Sequence, residues 1–261
     1  MTTGQPFIYD YDYDKKGRRY AGHRRTDPHI AAHVHTALGN ARTVLNVGAG
    51  AGSYEPTDRY VLAVEPSAVM RAQRPAHLSP ALVGTAESLP FDDKAVDASM
   101  AMVTIHHWAD MEKGLLEMRR VSRQRVLIMT FDGDALHTFW NAGYFPEVVA
   151  MEKRRYPPID WITEILGGRC EVQPIPIPLD CVDGFQEAFY GRPEAFLNKE
   201  VRKAQSAWGF LSEEQQEIFV GRLAADLQSG NWDKKFGHLR SQPYFTGALR
   251  LIIVDLIPRH P

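Results

Sequence analysis

Thr43-Val44-Leu45-Asn46-Val47-Gly48-Ala49-Gly50-Ala51-Gly52-Ser53 is the stretch that decides the fold. Residues 43–47 are mostly apolar and rich in β-branched side chains, the composition of a short buried strand. A Gly-x-Gly-x-Gly turn follows at once. Glycine permits positive φ and lets a ligand approach the backbone with no Cβ in the way. A nucleoside-type ligand across the strand end is the usual reason for such a turn, although a tight strand-to-helix connection that holds nothing has the same pattern. The next run, Tyr60-Val61-Leu62-Ala63-Val64-Glu65, reads as a second strand ending in a carboxylate. Glu65 follows Gly48 by 17 residues, near the spacing of about 20 that sets an acid on a ribose diol.

Outward from this pair, strands and helices alternate. Asp27-Pro28 opens a helix over 28–38 as an N-cap followed by proline. Residues 1–41 read as a lid segment and this first helix, with Tyr9, Tyr11, Tyr13 and Tyr20 crowded among acids and a basic patch; a surface arm packed by its rings is the alternative. Pro66-Ser67 opens a helix to about Gln73. Residues 81–83 read as a third strand and 96–104 as a fourth, apolar enough to be buried on both faces. Ile105-His106-His107-Trp108 leaves its end, a helix covers 110–121, and a fifth strand over 125–131 ends at Asp132. Such alternation gives a parallel sheet with right-handed crossovers, and its ligands bind beyond the strand carboxyl ends. Gly48, Glu65, Thr85, Thr104 to His107 and Asp132 all lie at those ends and converge on one crevice.

The second half is less regular. Helices are expected over 137–153 and from 157 to Gly167. A sixth strand over 171–177 is pushed to an edge by Pro174 and Pro176. A helical insertion over 180–245 carries helices at 195–208 and 212–227, the second opened by the capping-box spacing Ser212-x-x-Gln215. A last strand, 248–257, closes the sheet antiparallel. The expected fold is therefore α/β, a Rossmann-like, seven-stranded, mostly parallel sheet with an antiparallel last strand and a helical lid insertion. Its core is 42–179 with 246–261, and 180–245 is a substrate-side insertion.

Composition excludes several classes. The 261 residues carry a formal net charge of -2, which gives no electrostatic case for nucleic acid or an acidic membrane. Two cysteines, Cys170 and Cys181, are too few for a disulfide framework or a thiolate metal site and fit a reduced cytoplasm. No leader pattern and no apolar run of about 18 residues is present. The chain is expected to act on a small molecule, as a monomer or homodimer.

Five ordered motifs carry a family resemblance: Val44 to Gly52, Val64-Glu65-Pro66-Ser67, Ala86-Glu87-Ser88-Leu89-Pro90-Phe91, Val96-Asp97-Ala98 and Ile105-His106-His107-Trp108. Together, over residues 42 to 132, they resemble class I S-adenosylmethionine-dependent methyltransferases, small-molecule enzymes of the ubiquinone-biosynthesis type in particular. The resemblance implies S-adenosyl-L-methionine as cofactor, with Gly48, Ala49 and Gly50 against its methionine part. It implies Glu65 on both ribose hydroxyls, Pro66 and Ser67 beside the adenosine, and the Ala86 N–H on the adenine with Glu87 next to it. Carbonyls of Met102, Val103 and Thr104 would lie near the cofactor's amino group. Arg24 resembles a lid arginine that meets the cofactor carboxylate; a solvated surface arginine is the alternative. Many relatives have an acid where Asn46 stands and an aspartate where Thr85 stands, so both positions bear on affinity.

Transfer from a sulfonium needs alignment, desolvation and, for some acceptors, removal of a proton. No metal is required. His106 and His107 are adjacent, which in most backbone conformations points them to different sides and suits no joint chelation. Either histidine is suited to accept a proton, His107 being the first choice, or the pair caps the next helix and packs under Trp108. Tyr13 and Asp132 come second as groups that orient or deprotonate the acceptor, with lid packing and a loop cap as their alternatives. Trp140, Tyr144, Phe145, Trp161, Phe185, Phe189, Tyr190 and Trp208 form either the core of the insertion or a pocket for a flat, partly aromatic secondary metabolite, an indole or phenol methylated at carbon, nitrogen or oxygen. A non-catalytic protein of this fold acting as a regulator is a second reading. A nicotinamide oxidoreductase is a third, but it would prefer Gly-x-Gly-x-x-Gly, and Gly52 comes one residue early for that.

Overall fold

A computed structural model of the chain describes Asp14, Gly22 and residues 24–256. Its centre is a six-stranded sheet. The strands are β1 (Thr43–Val47), β2 (Tyr60–Val64), β3 (Val96–Met102), β4 (Ser122–Phe131), β5 (Arg169–Pro174) and β8 (Leu249–Asp255), in the order β2-β1-β3-β4-β8-β5. The β1–β2, β1–β3 and β3–β4 pairs are parallel, whereas β8 runs antiparallel to β4 and β5. The reversal has a local cause. The Asp132 N–H donates to the Ala248 carbonyl at 2.8 Å, so the chain enters β8 at the carboxyl end of β4 and can only run back along it.

The expected seventh strand is reduced to one residue. Leu82 forms a single parallel bridge to Val64, with its N–H on the Ala63 carbonyl at 2.8 Å and its carbonyl taking the Glu65 N–H at 3.0 Å. Pro80 has no N–H to extend the ladder, and Val83 is 71% exposed, so no apolar layer holds this segment against the sheet edge. The bridge still fixes Glu65 at the end of β2.

Helices cover both faces. On one lies α1 (Pro28–Ala37), where the Asp27 side chain accepts from the His29 and Ile30 N–H groups as the expected N-cap. On the other lie α3 (Met111–Val121), capped by Asp110, and α5 (Ile159–Leu166), whose apolar stripes pack on Leu45, Val126 and Ile252. The short α2 (Ala68–Ala72) follows β2 and is capped by Ser67.

Two expected helices are broken. Residues 137–153 form 3-10 turns at Leu136–Thr138 and Trp140–Gly143, and then α4 (Pro146–Arg155). Pro146 lacks the N–H an interior helical position needs and starts a helix instead. Residues 195–208 are likewise split into 3-10 turns at Pro193–Leu197 and Ser206–Phe210 around α6 (Lys199–Lys203), because Asn198 caps the Glu200 N–H and restarts the helix. The capping box on α7 (Glu213–Gln228) is present in both directions, as its spacing predicts. The short α8 (Asn231–Phe236) follows, and β6 (Ile177–Pro178) pairs with β7 (Tyr244–Phe245) at the root of the insertion.

The insertion shares one core with the sheet. Met100, Leu127 and Met129 on the sheet face belong to the same buried cluster as Phe145, Phe196, Trp208 and Trp232. Trp140 meets Phe196 and Trp232 edge-on, with centroids 5.6 and 5.5 Å apart, the arrangement that ring quadrupoles favour.

Gly114 shows how tightly the opposite layer is built. A Cβ there would stand 2.4 Å from Trp108 Cε3 and 3.1 Å from the Ala86 Cβ. Helix propensity alone would make Gly114→Ala stabilising by about 0.8–1.0 kcal/mol. Overpacking costs about 1–3 kcal/mol, so the variant should instead be less stable, seen as a lower urea midpoint with an unchanged m-value.

Candidate active site

The strand ends enclose a cavity of about 410 Å³, within the size range of a small-molecule or cofactor site. The glycine turn forms its floor. Gly48, Gly50 and Gly52 have φ of 66°, 52° and 95°, where only glycine is comfortable. A Cβ on Gly48 would meet Thr104 Oγ1 at 2.5 Å, so the turn lies directly against the end of β3.

Glu65 locks this turn to the next strand. One carboxylate oxygen accepts from the Gly50 N–H and the other from the Ser67 N–H, both at 2.8 Å. Each oxygen keeps a lone pair for a ligand hydroxyl. Burial raises the Glu65 pKa, partly opposed by the two N–H groups. Ser67 in turn donates to Asp14 at 2.6 Å, which places Asp14 at the cavity rim.

Nearly all of the expected cofactor residues line this cavity. Asn46, Gly48, Ala49 and Gly50 come from β1 and its turn, and Glu65, Pro66 and Ser67 from the end of β2. Thr85, Ala86 and Glu87 come from the loop after Leu82, and Met102, Val103 and Thr104 from the end of β3. Glu87 also accepts the Asp110 N–H at 3.1 Å and so helps to start α3. Sequence reading missed Met70, Trp108 and Ala109, which are brought in by the turns after β2 and β3.

The residues fit an adenosyl methionine. Asn46 Nδ2 donates to Glu55 at 2.9 Å, and Glu55 is held in turn by Arg74, so the amide orientation is fixed. That leaves the buried Asn46 Oδ1 without a partner, an acceptor of the kind a ligand ammonium takes. Trp108, another lining residue, has a buried Nε1 without a partner.

A second cavity, about 40 Å³, lies behind Val103 and His107, and those two residues line both cavities. Val103 has φ 52°, an uncommon conformation for a β-branched residue. His106 and His107 sit on a 3-10 turn, Ile105–His107, which keeps their rings 4.0 Å apart on the same cavity. The expectation that adjacency would point them apart is corrected by that tight turn. Both pKa values lie well below the usual histidine range, first through burial; His107 and Arg155 lower His106 further, and Arg155 lowers His107. Arg155 Nη2 stands 3.4 Å from His107 Nδ1.

Three expectations are not met. Arg24 is absent from the first cavity; it lines the second, and its Nε donates to Asp183 at 2.6 Å. Asp132 lines neither cavity, because it accepts the Asp134 N–H and pairs with Arg250. Among the eight aromatic candidates only Phe185 lines the second cavity. Trp140, Tyr144, Phe145, Tyr190 and Trp208 are instead buried in the core of the insertion with Phe189 against them, and Trp161 packs beside the opposite layer. Tyr13 lies outside the described residues. The second cavity is completed by residues with no motif: Glu152 from α4, Tyr156 just after it, and Gln186, Glu187 and Gln205 from the insertion. Glu187 accepts the Ala248 N–H, and burial pushes its pKa up to about 7. Among the described residues no group of three or more His, Cys, Asp or Glu could hold a metal, and no helix is long and apolar enough to cross a membrane.

Comparison with known proteins bears on this geometry. The family model described as a methyltransferase domain matches residues 45–129. A crystal structure of a candidate methyltransferase of an antibiotic biosynthesis pathway from Anabaena variabilis is 31% identical. It superposes with a TM-score of 0.81 over 89% of this chain and 99% of that one. Curated methyltransferases of Mycobacterium tuberculosis and Mycobacterium bovis, themselves uncharacterized, are 37% identical over 111 residues. Those matches span 39% of this chain and 40% of the length of the relatives. A methyltransferase from Thermotoga maritima, 17% identical with a TM-score of 0.55 over 93% of this chain and 97% of that one, shares the fold.

Glu65 gives the sharpest test of the first cavity. Hydrogen bonds to a charged group contribute about 1.5–3 kcal/mol, so Glu65→Gln should weaken S-adenosylhomocysteine binding by about tenfold to a hundredfold in isothermal titration. Because burial raises the Glu65 pKa, wild-type affinity should fall with decreasing pH before the usual carboxylate range is reached.

Proposed function

We propose that this chain, which belongs to the class I S-adenosylmethionine-dependent methyltransferase family, transfers the cofactor's methyl group to a small acceptor held in the second cavity. The observation that carries this reading is the shared wall: Val103 and His107 face both cavities, so a group on one side is next to a group on the other. When bound, the cofactor supplies a methyl group on a sulfonium. The chain contributes alignment, which in favourable cases is worth about 7–11 kcal/mol.

We assign different tasks to the two histidines. A guanidinium only donates, so Arg155 beside His107 Nδ1 favours the tautomer with hydrogen on Nε2. His107 then orients the acceptor as a hydrogen-bond donor. His106 Nδ1 is buried with no partner, and its lowered pKa keeps the ring neutral and able to take a proton. This reverses the first choice made from sequence, where the arginine on α4 could not be seen.

Phe131, Tyr156 and Phe185 line the second cavity and support an acceptor with a flat, partly aromatic end. A volume of about 40 Å³ holds roughly three waters or one small ring, so only the reacting end of a larger molecule would enter. The antibiotic-pathway assignment of the Anabaena relative supports a secondary metabolite, methylated at carbon, nitrogen or oxygen. In this reading the enzyme works in the cytoplasm as a monomer or homodimer, without nucleic acid or membrane.

The test is methyl transfer from labelled cofactor to a panel of aromatic secondary metabolites, with lipid quinones as controls. Product from the panel supports the reading, and product only from the quinones overturns it. On the best acceptor, His106→Ala should lower kcat at least tenfold with S-adenosylhomocysteine affinity unchanged. The proton-accepting form of His106 persists to lower pH than in an ordinary histidine. The acid limb of kcat/KM should therefore lie below pH ~6.5, and His106→Ala should abolish it.

A further inference from the structure

The second cavity has a polar wall of which the proposed transfer uses only the histidines. Gln205 is 4% exposed, lines this cavity, and neither its Oε1 nor its Nε2 has a hydrogen-bond partner. Glu152, 6% exposed, lines the same space. Its Oε1 accepts from Gln186 at 3.2 Å, while its Oε2 accepts no hydrogen bond and stands 3.8 Å from Arg155. His106 Nδ1 is the fourth buried, unpartnered polar atom on this wall. The three residues come from separate parts of the chain: the turn after β3, helix α4 and the segment between α6 and the following 3-10 turn. Burying an amide with both ends unmet is unfavourable, and here the cost falls at the wall of a cavity rather than within packed core.

Resting on the methyltransferase reading above, we propose that Gln205 is a specificity residue that reads an N–H next to a C=O on the acceptor. The acceptor class is a lactam, cyclic imide or oxo-heterocycle, with Glu152 taking a further N–H or O–H. A carboxamide offers a donor and an acceptor side by side, and its complement is a group offering the reverse pair. The amide satisfies such an edge in either rotamer, because neither end is committed elsewhere. The flat apolar flanks, Phe131 and Phe185, suit the faces of the same ring. A site built to bond a polar edge also rejects analogues lacking it, since its own groups are then left unmet. Gln205 thus positions and selects rather than reacts.

The experiment uses the full chain saturated with S-adenosylhomocysteine, and compares 2-pyridone, which carries the N–H/C=O edge, with phenol, which does not. Affinities are read by ligand-observed NMR titration, with nucleoside affinity measured in the same samples. Wild type should bind 2-pyridone at least tenfold more tightly than phenol. Gln205→Leu should bring the two within threefold while nucleoside affinity stays the same. Equal binding of the two probes by wild type, binding of neither, or preference retained in Gln205→Leu would each overturn the inference. The wild-type comparison stands even if Gln205→Leu does not fold. Absence of nucleoside affinity in wild type would instead overturn the function on which the inference rests.

Discussion

The carboxylate of Glu65 ties three elements together that would otherwise drift independently. It bonds the glycine turn after β1 through Gly50 and the start of α2 through Ser67. Its own backbone N–H is fixed by Leu82 at the sheet edge. A glycine-rich turn is entropically costly to order, and a charged acceptor holding one of its N–H groups offsets part of that cost. The same carboxylate is buried against the floor of the larger cavity, and burial raises its pKa. That unfavourable burial is offset in part by the two backbone donors. One side chain thus holds the glycine turn, the end of the second strand and the start of the helix after it around the cavity at the strand ends.

Much of this was legible from sequence because it depends on local rules. Gly48 to Gly52 announced positive φ, the Asp27-Pro28 and Ser212-x-x-Gln215 patterns announced helix starts, and Glu65 was found by spacing from Gly48 alone. The failures have equally local causes. Pro146 and Asn198 end and restart helices inside apparently continuous apolar runs. Leu82 pairs by only one bridge, since Pro80 withholds a donor and nothing covers Val83. The second cavity was scarcely legible. Gln205, Glu152 and Tyr156 carry no motif, and they reach this cavity from two distant segments, Glu152 and Tyr156 around the end of α4 and Gln205 from the insertion. Aromatic density pointed to the right segment but, apart from Phe185, to rings that fill the core of the insertion.

Arg155 links that docking to the chemistry. It is 1% exposed, donates to Ser206 Oγ at 2.7 Å, lies over the Phe210 ring at 5.4 Å, and faces both Glu152 and His107. A buried guanidinium is tolerable only while its partners remain; losing one partner of a buried ion pair costs about 3–5 kcal/mol. Two of Arg155's contacts, Ser206 and Phe210, belong to the insertion, and a third, His107, belongs to the wall between the cavities. Undocking the insertion would therefore take the Ser206 hydrogen bond and the Phe210 ring from this charge and leave it with Glu152 and His107. The orientation of the histidine and the closure of the acceptor space are two consequences of the same buried cation. For that reason the insertion is better regarded as part of the active site than as a cover placed over it.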